Sequence, residues 1–361
     1  MRGAHSLEHG RPADTVRGAA ARSRGISGRS RIGWVLLALV SATPAQAARS
    51  SSDASCARVA AVPFPAADRP SDAETRALKG CDAEDLYYGI TAPADPVKAR
   101  LCAYAQIASH DDPVFGGSAI LMMIYATGAG AKRNPELAIR LACELDAAPA
   151  EHEGRVAHLE TLKRRTQAKL TFDLCDDITS GFMMGHCAGH DQRLEKAKRD
   201  RLWKGRLDGW SPAEREAWKR LRAAADAFFE ARVAGEVDLS GTARAMLQIE
   251  ERERLEKRLV ALVDALESGK LPAATTPDFR AADQALNAAY AGVMASSAED
   301  LGTVTKPDVK KAERAWLHYR DEWTRFARDK YPAVSPDAVK TWLTRERTAQ
   351  LTGADVEGEQ P

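Results

Sequence analysis

Glu313-Arg-Ala-Trp-Leu-His-Tyr-Arg-Asp-Glu-Trp-Thr-Arg-Phe326 carries the clearest helical pattern in the chain. With the residues just before it, its apolar positions Val309, Ala312, Trp316, Tyr319, Trp323 and Phe326 recur at steps of three and four. That spacing sets them along one stripe of a single helix. Lys310, Lys311, Glu313, Arg314, Arg320, Asp321, Glu322, Arg325 and Arg328 occupy the faces between, so one side alone can be buried. A fainter copy lies upstream, where Trp218, Leu221, Ala225, Phe228 and Arg232 keep the same steps. Arg222 stands four after Trp218 as Arg320 stands four after Trp316, which points to an internal duplication.

The composition agrees with helices. The 361 residues are 44% hydrophobic and 29% charged, enough for one or two ordinary cores. Aromatic residues are few, alanine is abundant, and long alternations of Val, Ile and Thr are lacking, so the chain reads as all-α. A formal net charge of +1 gives no electrostatic case for nucleic acid.

The uncharged run Ile32 to Ala42 follows Arg29 and Arg31 and precedes Pro44-Ala-Gln-Ala47. A short apolar run after basic residues, ending in an Ala-x-Ala pattern, reads as a secretory signal peptide occupying residues 1–47 with an extended basic beginning. Eleven residues are too short for a membrane span, so the mature chain is expected to be exported and not membrane-embedded, periplasmic or secreted. Asp53-Ala-Ser before Cys56 does not fit a lipid-attachment site. All six cysteines, Cys56, Cys81, Cys102, Cys143, Cys175 and Cys187, come after the cleavage point, which predicts three disulfides. Pairing each with its neighbour, 56 with 81, 102 with 143 and 175 with 187, is the simplest of fifteen connectivities.

Within residues 48–150, a shift of 39 superimposes Gly89 on Gly128, Asp95-Pro96 on Asn134-Pro135, and Ala99 on Ala138. Each copy reads as a helix ended by Gly, a loop, and a new helix capped by Asp or Asn with Pro first. The second, Gly117-Ser-Ala-Ile-Leu-Met-Met-Ile-Tyr-Ala-Thr-Gly-Ala-Gly-Ala-Lys-Arg-Asn-Pro-Glu-Leu-Ala138, resembles a Sel-one-like repeat, a tetratricopeptide relative found in interaction scaffolds. The first departs from it, with Thr91-Ala-Pro-Ala in place of the Gly-rich loop. Such hairpins bury a face only against a neighbour, so two of them form either a peptide-binding groove or a structural cap on the adjoining helical domain.

Glu151 to Leu170 reads as a polar connecting helix with Val156, Leu159 and Leu162 as its apolar points. Cys175 to His190 holds two Cys and two His, which raises zinc, but an oxidising compartment makes a Cys175–Cys187 disulfide the simpler reading; no metal or cofactor is expected. A helix over Asp191 to Trp203 is expected next, then the Trp218 helix from Ser211-Pro212. Gly235-Glu-Val-Asp-Leu-Ser-Gly-Thr242 breaks that helix before another that ends near Ser268. In that third helix Glu250 to Arg258 reads as a solvated charged face. Two readings stand for the loop: its hydroxyls cap the third helix, or its acidic tip, Glu236 and Asp238, meets a partner.

Past the Pro-containing linker 269–277, three spaced motifs occur in order: Asp283-x-x-Leu286-Asn287-x-x-Tyr290, Ala315-Trp-Leu-x-Tyr-Arg-Asp321, and Thr344-x-x-Arg347-Thr-x-x-Leu351. Together they closely resemble the domain family of the lysozyme inhibitor LprI. The resemblance covers residues 276–352, and a weaker one covers 172–268, where Asp191 and Leu194 answer Asp283 and Leu286. The resemblance implies two tandem three-helix units; with the hairpins upstream, the expected order is helical hairpins, then the two units, then 353–361 as a disordered tail. Members of the family commonly pair cysteines among the later helices as well. No Cys stands beyond residue 187 here, so core aromatics must hold the second unit.

The resemblance implies an exported inhibitor with a protein partner, a lysozyme-type peptidoglycan hydrolase. The alternative is a periplasmic scaffold that binds an envelope protein or peptide through the hairpins. An enzyme is not expected, because no nucleophile elbow, phosphate loop or His-Glu-x-x-His is present. The candidate partner-binding residues are Glu236, Asp238, Asp283, Asn287, Arg320, Asp321 and Arg347. With Thr344, the last five either pair across the three-helix seam or form an inhibitory rim.

Overall fold

The computed structural model describes residues 51–167 and 169–354. The signal run, the cleavage point after Ala47 and the tail beyond 354 lie outside the described residues. Among the described residues there is no strand, and fourteen α-helices pack around two hydrophobic cores, so the chain is all-α.

The first core is built by α1 (Ser51–Val59), α3 (Ala83–Tyr88), α4 (Pro96–Ser109), α5 (Gly117–Thr127), α6 (Pro135–Glu144) and α7 (Pro149–Lys163), while the short α2 (Asp72–Ala77) lies against α4 and buries no residue. Helices α3 and α4 form one hairpin, α5 and α6 the next, and their turns share the same end and cap bonds. Gly89 and Gly128 end α3 and α5 in the left-handed region, at φ 74° and 88°. The Asp95 N–H donates to the Leu86 carbonyl, and the Asn134 N–H to the Tyr125 carbonyl. Asp95 and Asn134 then cap α4 and α6 through their side chains, with Pro at the next position. In α5 every residue from Ala119 to Ala126 is buried, so this helix is wrapped on all sides. Val156, Leu159 and Leu162 are the buried apolar points of α7, which packs chiefly on α6 and α1, but α7 stops at Lys163 and does not continue to Leu170.

The disulfides are Cys56–Cys143, Cys81–Cys102 and Cys175–Cys187. Pairing by sequence neighbour is therefore corrected for the first four cysteines. The reason is tertiary: α1 lies on α6 and α7, where Arg58 pairs with Glu136 and Glu160, so Cys56 reaches Cys143 rather than Cys81. Closing 87 residues, this bridge restricts the unfolded chain by about 4.5 kcal/mol, against about 3 kcal/mol for the shorter loops.

The second core is built by α8 (Gly181–Asp208), α9 (Pro212–Gly235), α10 (Arg244–Ser268), α11 (Thr276–Ala295), α13 (Lys306–Lys330) and α14 (Pro336–Thr352), while the short α12 (Ala298–Leu301) buries no residue. Helix α13 carries the stripe read from sequence, and Val309, Ala312, Trp316, Tyr319, Trp323 and Phe326 are all buried. Thr305 caps its start by accepting the Asp308 N–H. Trp218, Leu221, Ala225 and Phe228 are buried on α9 in the same way. The two stripes face each other with the helices antiparallel: Trp218 meets Phe326 at 5.8 Å between ring centroids, and Phe228 stacks on Tyr319 at 5.4 Å. At the far end Gly235 lies against Asp308, where a Cβ would come within 2.7 Å of the Asp308 Cβ. The three helices before residue 269 and those after it thus share one core.

In each set the outer helices run side by side. Helix α8 tracks α10 through Arg199–Glu253 and Arg206–Asp264, and α11 tracks α14 from the Thr276–Asp337 hydrogen bond of 2.6 Å. Helix α8 starts ten residues earlier than the sequence pattern indicates. Gly181 and Gly185 lie within α8 and let the loop before α10 and the first turn of α10 come close; a Cβ on Gly181 would sit 2.4 Å from the Thr242 carbonyl oxygen. At 28 residues, about 42 Å, α8 begins in the first core with Met183 and Cys187 and ends in the second with Trp203 and Leu207 beside it.

The charged run Glu250 to Arg258 is not a solvated face. Glu251, Glu253 and Glu256 are buried, because α10 is flanked by α8 and α9 at once. Arg232 and Arg254 meet Glu251, Arg199 meets Glu253, and Arg222 and Arg252 meet Glu256. Burial pushes the Glu256 carboxyl up, but the Arg222 hydrogen bonds and the neighbouring Arg charges outweigh it and hold it low.

Candidate protein-binding site

The residues singled out in the sequence separate into three places. Asp283, Asn287 and Arg320 come together on the outer side of Trp316. Arg320 lies over the Trp316 ring at 5.2 Å, within 3.9 Å of Asp283 and 3.5 Å of Asp321. Asn287 donates to the Asp283 backbone carbonyl at 2.8 Å and to its carboxylate at 3.2 Å. Helix α11 brings them here while burying only Ala282 and Leu286. Its remaining face stays open, with Asn287 exposed and Tyr290 half-buried.

A cavity of about 370 Å³ opens at this place, lined by Asp283, Asn287, Tyr290, Glu313, Trp316 and Leu317 among others. Leu317 sits on α13 just outside the buried stripe and is 40% exposed. Sequence reasoning passed over it, since a lone Leu among charges has no periodic partner. Tyr290 and Glu313 were legible only as motif or face residues. The cavity thus presents an amide, carboxylates, a phenol and an apolar side chain on two packed helices.

Glu236 and Arg347 occupy a second place, behind Trp316. They are not an exposed tip and a rim. Arg347 has 0% side-chain exposure and Glu236 5%, and the two form a paired set of bonds, Nη2 to Oε1 at 2.6 Å and Nη1 to Oε2 at 2.7 Å. The Arg347 Nε donates to Glu313 at 2.9 Å, and Arg232 adds a bond to Glu236 at 2.7 Å. Burial raises the Glu236 carboxyl, yet the Arg347 hydrogen bonds and the Arg347 and Arg232 charges win and leave it below the usual carboxylate range. Glu313 shows the opposite balance: burial prevails over Arg347 and its carboxyl is pushed up. Thr344 is fully buried beside them.

Asp238 stands alone in the third place. Its side chain is taken up by the Ser240 N–H and hydroxyl and by the Thr303 N–H and hydroxyl, which hold its carboxyl down to about 2 and tie the α9–α10 loop to the α12–α13 loop. The loop's hydroxyls do not cap the third helix, because Ala243 precedes α10 without any side-chain cap. His190 belongs to the first core, hydrogen-bonded to Glu84 at 2.6 Å and stacked on Phe115 at 4.5 Å. The one cluster of three metal-ligating types among the described residues, Cys56, Cys143 and His152, has its two sulfurs spent in a disulfide.

Fold and site together define a disulfide-bonded, all-helical protein with an exposed motif cluster on α11 and α13. Residues 264–351 match the sequence profile of the family described as Lysozyme inhibitor LprI. The match takes in α11 to α14 and the last turn of α10, and so all three motifs. Comparison with curated proteins found no match, and comparison with solved structures found none. Among the described residues no helix is long and apolar enough to cross a membrane.

Proposed function

We propose that this is an exported protein that binds and inhibits a lysozyme-type peptidoglycan hydrolase through the face formed by α11 and the Leu317 side of α13. The observation that carries the reading is the family match over 264–351 coinciding with the cavity where Asp283, Asn287 and Trp316 meet. Three disulfides accord with an oxidising compartment, as the signal pattern does. An inhibitor of a cleft enzyme must present a stiff projection, and α11 is held rigidly along α14 while leaving its outer face open.

The test is clearing of a bacterial cell-wall suspension by a lysozyme, with and without the purified mature protein. Asn287→Ala and Leu317→Arg change exposed side chains and should leave the melting temperature within about 1 °C while reducing inhibition at least tenfold. Full-rate clearing by a panel of muramidases in the presence of folded protein would overturn the proposal. Equal potency of wild type and both variants would move the contact elsewhere.

A further inference from the structure

A cavity of about 670 Å³ lies on the first core, between the start of α5, the α6–α7 connection and the start of α8. Its apolar lining includes Val114, Leu145, Leu174 and Met183, and Phe182 joins it with 67% of its surface exposed. Arg155 also lines it and is 2% exposed. The Arg155 Nη2 donates to Glu151 at 3.1 Å, while Nε and Nη1, both buried, have no partner. Unsatisfied buried guanidinium donors are costly, so a site that supplies an acceptor to them gains free energy on filling.

The acceptor's charge is set by the surroundings. Glu151 has 0% side-chain exposure and also accepts the Ser180 hydroxyl at 3.1 Å, so the Glu151–Arg155 pair is already balanced. At the cavity's edge stand the exposed acids Asp112, Glu144 and Asp146. Asp112 is engaged by Ser118 and Glu144 by Arg140. A carboxylate entering here would face the like charges of Asp112 and Asp146, Glu144 being offset by Arg140. A main-chain carbonyl would satisfy Arg155 at no such cost, and cations beside it would be attracted.

We propose that this cavity docks a basic peptide segment of a partner protein: one apolar side chain packs between Phe182 and Leu174, a main-chain carbonyl accepts from Arg155, and flanking Lys or Arg meets the acidic edge. The site lies on the core opposite to the α11 face and uses none of its residues. Phe182 is exposed on the first turn of α8, beside a buried guanidinium two of whose nitrogens lack an acceptor.

The experiment is fluorescence polarisation of the dye-labelled, acetylated and amidated peptide Lys-Lys-Leu-Lys-Lys with the full mature chain, disulfides intact. Two further probes replace Leu by Ser, or every Lys by Glu. Saturable binding is expected for the first peptide, at least tenfold weaker for the Ser form and undetectable for the Glu form. Phe182→Ser and Asp146→Lys, both at exposed positions, should each weaken it at least fivefold with an unchanged melting curve. Arg155→Lys keeps the charge beside Glu151 but removes donors, and should weaken it too. Absence of saturable binding, equal binding of the Leu and Ser peptides, or indifference to Phe182→Ser would overturn the proposal. Lysozyme inhibition is not read in this assay, so either proposal can fail alone.

Discussion

Arg347 on α14 is wholly buried and bonded through two nitrogens to Glu236, which ends α9 more than a hundred residues earlier. The bond ties the last helix of the second set to the middle helix of the first. Removing one partner of such a pair leaves the other charged and buried, which costs about 3 to 5 kcal/mol. Glu236→Ala should therefore lower the thermal midpoint by many degrees, and Asp238→Ala by far less. Circular dichroism melts of the two single variants check this; equal, small shifts would contradict the buried assignment.

Trp316→Ala empties a site that is 2% exposed at the centre of the shared core, and should cost about 3 to 5 kcal/mol. Because α13 packs on α9 along its whole stripe, the loss should spread to both sets of helices. Hydrogen exchange is the measurement, with protection expected to fall in 212–268 as well as in 276–352. A fragment of 276–352 alone should fail to fold, since Tyr319, Trp323 and Phe326 would face water.

Reduction should act on one core only. All three disulfides lie before residue 188, so dithiothreitol should open 51–187 to proteolysis while α9 to α14 stay protected. Loss of structure throughout would show the second core to depend on the first.

Acid should loosen the ion-paired seams. Glu84, Asp226, Glu236 and Glu256 are all held below their ordinary values by arginines, Glu84 by His190 as well. A depressed carboxyl contributes stability that is complete above its unfolded value and is lost as pH falls through the folded one. Stability should thus be flat from pH 7 to about 5 and decline below about 4.5. The raised Glu313 carboxyl works in the other sense, gaining its proton early and relieving a buried charge. Urea melts at pH 7, 5 and 3 measure the sum; a rise in stability toward pH 3 would contradict it.

What the chain determined by itself was local. Steps of three and four placed the buried stripes of α9 and α13, because a helix must turn its apolar side inward whatever covers it. Gly89, Gly128, Asp95-Pro96 and Asn134-Pro135 marked the hairpin turns, because left-handed ends and N-caps are properties of a few adjacent residues. The Cys175–Cys187 bridge was legible for the same reason of nearness. Which surfaces meet was decided only in three dimensions. Cys56 found Cys143 because α1 lies on α6, Glu251 and Glu256 were buried because α10 has neighbours on two sides, and Glu236 turned inward because Arg347 was there to receive it. A charge reads as solvated in sequence, and only the placement of an opposite charge from a distant helix makes its burial tolerable.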